Sequence, residues 1–113
     1  MNRKLICLLL GLGLAGAAAA QAPRSIVTVV KDTGETWFTR MAEGVKAFGA
    51  DNPGVSTSEV GPGKADAAQE LQVLEDTLAK KVDAVAVVPM DPAAMEGALR
   101  RAMQRGVVVV THE

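Results

Sequence analysis

The stretch VDAVAVVPMDP, residues 82–92, indicates the fold of this chain. Residues 84–88 (AVAVV) are apolar on both faces, as a central strand of a parallel sheet should be. Asp91 and Pro92 then predict the start of a helix, because aspartate is a preferred N-cap and proline suits the first helical position. A buried strand that leads directly into a helix is a building unit of α/β folds.

The same alternation extends in both directions from this unit. Strands are predicted at residues 25–30 (SIVTVV), 55–60 (VSTSEV) and 107–110 (VVVV). Apolar residues at helical spacing predict three helices: Trp37, Met41, Val45 and Phe48 in the first, Ala67, Leu71, Leu74 and Leu78 in the second, and Met95, Leu99 and Ala102 in the third. Gly106 is the expected stop of the third helix. The order βαβαβαβ predicts an α/β fold with a doubly wound parallel sheet, in which the weaker strand 55–60 lies at an edge.

The first twenty residues have the pattern of an export signal. Arg3 and Lys4 precede the apolar stretch 5–14, and small residues follow at 15–20. The apolar stretch is shorter than the roughly 20 residues that a membrane span needs. A cleaved signal peptide is therefore favoured over a retained membrane anchor.

Cleavage is predicted after Ala20, with Ala22 as the second choice, because small residues at alternate positions mark the cleavage site. This divides the chain into a signal peptide, residues 1–20, and a domain at residues 21–113. Cys7 lies inside the signal, so the exported domain has no cysteine. A disulfide framework and a cysteine nucleophile are thereby excluded.

The charge balance argues against polyanionic partners. Without Arg3 and Lys4 the chain has ten basic side chains against thirteen acidic ones. This mild acidity predicts neither nucleic acid nor an anionic membrane surface as a partner.

Sequence motifs for nucleotide binding and catalysis are absent. No G-x-G-x-x-G turn follows the first strand. Gly63-Lys64 resembles the end of a phosphate loop, but Ser58 replaces its first glycine and Ala65 its hydroxyl residue. His112 is the only histidine, which excludes a histidine-rich metal site. We therefore predict no enzyme activity, no cofactor and no metal.

Polar residues follow each predicted strand at its carboxyl end, which is where doubly wound sheets bind ligands. The four segments are residues 31–34 (KDTG), 61–64 (GPGK), 89–91 (PMD) and 111–113 (THE). Trp37 and Phe38 lie just behind the first segment. Ammonium and carboxylate groups beside an aromatic face suit a small polyhydroxylated ligand.

Several of these stretches resemble bacterial periplasmic sugar-binding proteins. The spacing of their first strand and helix is matched by Lys31, Trp37, Phe38, Met41 and Gly44. Residues 82–92 resemble their third strand and the helix start after it. Residues 98–107 (ALRRAMQRGV) are similar to the next helix and strand of the autoinducer-2-binding and rhamnose-binding proteins of this group.

The resemblance implies a solute receptor for an ABC importer, with two α/β lobes that close on a sugar or sugar-like solute. Its partners would be that solute and a membrane permease, and its location the periplasm. The expected architecture is a three-layer α/β/α lobe with strand order 2-1-3-4. Residues 21–113 would then be an incomplete N-terminal lobe. The alternative is a small exported flavodoxin-like domain that acts as an enzyme or interaction module.

Carried over by position, the resemblance implies particular ligand contacts. Lys31 matches a lysine that contacts ligand oxygens, and Trp37 and Phe38 match aromatic residues that line the pocket. Glu113 falls where an aspartate accepts ligand hydroxyl hydrogens. The candidate ligand-binding residues are Lys31, Trp37, Phe38, Asp91, His112 and Glu113.

Structural roles remain open for most of these candidates. Lys31 could be a solvated loop residue, and His112 a bystander. Trp37 could anchor the first helix in the core, whereas Phe38 lies one position off the apolar stripe. Asp91 is favoured as a helix cap.

Handedness predicts which faces of the sheet the helices cover. Right-handed crossovers in order 2-1-3-4 place the first helix on one face and the next two on the other. Strands 84–88 and 107–110 would then be uncovered on the side of the first helix. We therefore expect the isolated chain to fold poorly and to bind no sugar tightly.

Overall fold

A computed structural model describes residues 21–112 of the chain. The predicted signal peptide at residues 1–20 and the candidate Glu113 lie outside these described residues. The elements are β1 Arg24–Val29, α1 Thr36–Asp51, β2 Val55–Val60, α2 Ala67–Ala79, β3 Ala84–Val87, α3 Pro92–Gln104 and β4 Val108–Thr111. The predicted order βαβαβαβ is confirmed, with β1 one residue earlier and β4 one residue later than expected.

The four strands form one parallel sheet with the order β2-β1-β3-β4. Ile26 of β1 is paired with Thr57 of β2 on one side and with Ala84 of β3 on the other. Val85 of β3 is paired with Val109 of β4. The doubly wound α/β fold, its strand order 2-1-3-4 and the edge position of β2 are thus confirmed.

The larger core lies between the sheet and helices α2 and α3. Its buried members include the predicted stripe residues Leu74, Leu78, Met95, Leu99 and Ala102. They pack on side chains from alternate positions of the central strands, namely Val27, Val29, Val85 and Val87. Alternate residues of a strand face the same side of a sheet, so these four valines share the face that α2 and α3 cover.

Helix α1 packs on the opposite face and is rotated relative to the predicted stripe. Trp37 is 63% exposed and Phe48 is 51% exposed, whereas Phe38 is buried with Val30 and Val88. The structural alternative for Trp37, an anchor in the core, is therefore not supported. Phe48 of the predicted apolar stripe is exposed, and Phe38, which helical spacing placed off the stripe, is in the core.

The rotation of α1 has a local cause in its contact with β2. An added Cβ on Gly49 would overlap the Thr57 hydroxyl, and this hydroxyl donates a hydrogen bond to the Val45 carbonyl at 2.7 Å. The close approach points Phe38, Met41, Val45 and Gly49 towards the sheet. That stripe has helical spacing too, but it starts one residue later than the predicted one.

The ends of α3 agree with the sequence. The Asp91 carboxylate accepts a hydrogen bond from the Ala94 N–H at 3.1 Å, and Pro92 occupies the first helical turn. Gly106 follows the helix with a φ of 87°, a left-handed conformation that glycine adopts without steric cost. The predicted start and stop of α3 are both confirmed.

The outer part of the sheet is uncovered on the α1 side. Val108 and Val110 of β4 are 60% and 57% exposed. The placement of α1 on one face and of α2 and α3 on the other leaves this surface open, as the crossover rule predicted. Within residues 21–112, no helix has the length and apolarity needed to cross a membrane.

Candidate functional site

The carboxyl ends of the four parallel strands meet at one edge of the sheet. The connection from β1 leads to β2 on one side, while the chain passes from β3 to β4 on the other. The topological switch point therefore lies between the ends of β1 and β3, where open α/β sheets bind ligands. Lys31 follows β1 and Met90 follows β3, so these residues flank the switch point.

The loops after β1 and β2 are tied together by hydrogen bonds. The Asp32 carboxylate accepts from the Gly34 N–H at 2.7 Å and from the Ala65 N–H at 3.2 Å. The Thr33 N–H donates to the Pro62 carbonyl at 2.9 Å. These hydrogen bonds fix the loop after β1, in which Lys31 is the first polar residue, against the loop after β2. The polar segment at residues 31–34 was the only sign of this arrangement in the sequence.

A buried carboxylate, which the sequence did not single out, lies below this edge. Glu70 in α2 is fully buried, and its Oε2 accepts a hydrogen bond from the Met90 N–H at 2.8 Å. Its Oε1 has no hydrogen-bond partner among residues 21–112. Burial raises the pKa of the Glu70 carboxyl, and the Met90 N–H and the Lys31 ammonium act in the opposite direction. Glu70 precedes Leu74 by one helical turn, which is the signal that could have placed it on the buried face.

Lys31 and Trp37 lie at this edge with accessible side chains. Lys31 is half-buried in the loop after β1. Trp37 belongs to the first turn of α1 and is 63% exposed, so core packing does not account for its indole. Both residues belong to the segment that follows the carboxyl end of β1.

The other predicted residues have different environments. Phe38 is buried against Val30 and Val88, where it supports the edge from behind. The Asp91 carboxylate caps α3, which is the role that the sequence favoured for this residue. His112 lines an open groove between α3 and β4 with Pro89 and Met103. The structure therefore does not gather all six predicted residues around one point, and Glu113 is not among the described residues.

The helix N-termini at this edge differ in their capping. Asp66 caps α2 by accepting from the Gln69 N–H at 2.9 Å, and this bond holds the pKa of Asp66 below its ordinary value. Asp91 caps α3 in the same way. Glu35 makes no side-chain cap to α1. The first-turn N–H groups beside Trp37 therefore lack a capping carboxylate and can donate to ligand oxygens.

The described part of the chain contains no group of three or more His, Cys, Asp or Glu side chains that could hold a metal ion. The chemistry available at the edge is hydrogen bonding by Lys31 and backbone N–H groups, together with the flat apolar face of Trp37. Such groups bind and orient a small polar molecule.

Solved structures share this fold. LsrB from Clostridium saccharobutylicum, in complex with AI-2, matches with a TM-score of 0.71 and 24% identity over 77% of this chain and 26% of that chain. The 5-methylthioribose transporter solute binding protein from Thermotoga lettingae, in complex with 5-methylthioribose, matches with a TM-score of 0.68 and 24% identity over 77% and 27% of the two chains. An ABC transporter solute binding protein from Burkholderia graminis, in complex with D-arabinose, matches with a TM-score of 0.71 and 27% identity over 81% and 31%.

The chain thus spans between a quarter and a third of the length of these solved proteins. Its sheet order and helices match the N-terminal lobe of that fold. In addition, residues 26–113 match the family described as the periplasmic binding protein domain. The match covers most of the sequence, and the chain therefore belongs to the periplasmic binding protein domain family.

Proposed function

We propose that this chain supplies part of the binding site of an ABC-importer solute receptor, and that the solute is a small uncharged sugar or sugar-like molecule. Family membership supports a solute-binding role. The 27% identical relative is an ABC transporter solute binding protein in complex with D-arabinose, which supports a sugar as the class of solute. Binding is the whole function in this proposal, with no chemical step.

The exposed indole of Trp37 carries the proposal. Its side chain is 63% exposed at the carboxyl edge of the sheet, next to the loop that begins with Lys31. The apolar face of a sugar ring can stack on an indole, while an ammonium group donates hydrogen bonds to ring hydroxyls. These two residues therefore offer the two kinds of contact that a pyranose or furanose requires.

The remaining candidates have supporting roles in this proposal. Phe38 fixes the start of α1 from the core side. Asp91 caps α3 through Oδ1 and keeps its other carboxylate oxygen for a hydroxyl group. His112 follows β4 at the same edge and would contribute from its far side. Glu113, the next residue of the sequence, is proposed as a further solute contact. The permease of an importer is the proposed protein partner, and export through residues 1–20 would place the receptor in the periplasm.

Binding of D-arabinose tests the proposal directly. In amide and indole NMR spectra of the labelled protein, D-arabinose is expected to shift the Trp37 indole N–H and the amides of Lys31 and Thr33. We expect a Kd on the millimolar scale, because one lobe supplies only part of the contacts, and this corresponds to about 4 kcal/mol of binding free energy.

Matched variants make the test specific. Trp37→Ala is expected to abolish the shifts, whereas Phe48→Ala, which removes the other exposed aromatic of α1, should leave them unchanged. Free valine serves as a solute of similar size that lacks ring hydroxyls. Equal responses to valine and D-arabinose, or shifts confined to the groove between α3 and β4, would contradict the proposal.

A further inference from the structure

We infer that Glu70 is a positioning residue of the candidate site, holding the loop after β3 in place beside the switch point. The part that concerns solute affinity rests on the proposed function. The part that concerns the geometry of the loop does not.

The position of Glu70 follows from the path of α2. This helix connects β2 to β3, which lie on opposite sides of β1, so it crosses behind the end of β1. Glu70 is in its first turn, at the end nearest the carboxyl edge of the sheet. From there its Oε2 reaches the Met90 N–H at 2.8 Å. One side chain of α2 thereby fixes the backbone of a loop that belongs to another crossover.

The cost of burying Glu70 argues against a purely structural role. The residue occupies the inward stripe of α2 with Leu74 and Leu78, where an apolar side chain would pack without desolvating a charge. Only Oε2 is hydrogen-bonded within residues 21–112. Burying a carboxylate with half of its acceptors unused is unfavourable for stability, so the geometry it imposes is the better account of its presence.

The groups that act on the carboxylate lie on both sides of the switch point. They are the Lys31 ammonium from the loop after β1 and the Met90 N–H from the loop after β3. The hydrogen bond to the Met90 N–H is the contact that carries the positioning role, because it fixes the loop after β3 before a solute binds between the two loops.

Two variants at position 70 separate the hydrogen bond from the charge. Glu70→Gln retains an acceptor for the Met90 N–H but has no charge. Glu70→Leu removes both, with a side chain suited to the buried stripe. Glu75→Gln is the matched control, because Glu75 is an exposed residue of the same helix that pairs with Arg101 at 3.6 Å.

The Met90 amide reports on the loop without any solute. In the unmodified protein its NMR shift should titrate with a midpoint above that of an ordinary glutamate, as the pKa direction requires. Glu70→Gln should abolish this titration and keep the amide protected from hydrogen exchange. Glu70→Leu should raise the exchange rate of Met90 about tenfold, while Leu74 in the same helix stays protected. Glu75→Gln should change neither measurement.

Unchanged Met90 exchange in Glu70→Leu, or a Met90 shift that does not titrate in the unmodified protein, would overturn the inference. Titration with D-arabinose adds the functional readout: Glu70→Leu should weaken binding about threefold to tenfold, and Glu70→Gln less than Glu70→Leu. Absence of D-arabinose binding by the unmodified protein would count against the proposed function alone. The Met90 measurements would still decide the role of Glu70 in the loop.

Discussion

Two neighbouring aromatic residues at the start of α1 have opposite environments, and the difference assigns them different roles. Phe38 is buried with Val30 and Val88, and the indole of Trp37 is mostly in solvent. Loss of the Phe38 ring would leave a cavity and lower stability, whereas loss of the indole would remove a surface available to a solute. Replacement of Phe38 should therefore lower stability, whereas replacement of Trp37 should weaken solute binding with little effect on stability.

Lys31 is expected to contribute directly to solute affinity. In a full-length receptor, replacement by alanine should weaken solute binding by about 1–3 kcal/mol, the scale of leaving a buried hydrogen-bonding group of the bound solute unpaired. Glu113→Ala is predicted to have an effect of the same size. Lys64→Ala is the control, because Lys64 is an exposed lysine of the loop after β2 at the same edge. Calorimetric titration showing equal affinities for Lys31→Ala and Lys64→Ala would remove Lys31 from the site.

The raised pKa of Glu70 predicts a pH dependence of stability. Between the pKa of Glu70 in the unfolded chain and its higher pKa in the folded protein, the folded protein binds more protons than the unfolded chain. Protonation of Glu70 therefore stabilises the fold below this pH interval, and this stabilisation is lost as pH rises through the folded pKa. Burial also raises the pKa of Glu59, so the effect of Glu70 must be isolated by difference. On acidification from pH 7, the free energy of unfolding should increase more in the unmodified protein than in Glu70→Gln. Urea unfolding measures this difference, and parallel pH profiles for the two proteins would show that Glu70 titrates alike in both states.

The two glycines inside α1 provide a matched test of how this helix sits on the sheet. An added Cβ on Gly44 meets nothing within 4 Å, while on Gly49 it overlaps the Thr57 hydroxyl. Gly44→Ala should therefore raise the free energy of unfolding by about 0.5–1 kcal/mol through helix propensity. Gly49→Ala should lower it by about 1–3 kcal/mol, because the helix must move away from β2. Similar stability changes in the two variants would contradict the observed packing of α1.

The sheet as a whole is covered unequally, and this predicts self-association. Val108 and Val110 expose an apolar surface on β4, an outer strand without a charged side chain that would hinder pairing with another molecule. We expect the apparent mass of the protein in size-exclusion chromatography to increase with concentration. Val110→Lys should reduce this increase, whereas Ser56→Lys, on the opposite edge strand and the opposite face, should not. A protein that stays monomeric at every concentration would refute this prediction.

Much of the fold was predictable because its signals are local. The β-branched runs mark the strands, and Asp91, Pro92 and Gly106 mark the ends of α3 through the backbone geometry that each residue favours. The crossover rule then related the order of these elements to the faces of the sheet. Of the candidate site, the sequence located the carboxyl edge and singled out Lys31 and Trp37 for it.

The sequence by itself determined the kinds and order of the elements, since periodicity and capping depend on neighbours within a few residues. Only the tertiary structure decided which way α1 faces, because the contact between Gly49 and Thr57 sets the rotation of the helix and so buries Phe38 instead of Trp37. It also decided the environment of Glu70. A charged residue in α2 becomes buried, and reaches Met90, only when the helix crosses the sheet behind β1. Helix rotation and long-range hydrogen bonds depend on residues far apart in the chain, which no local pattern encodes.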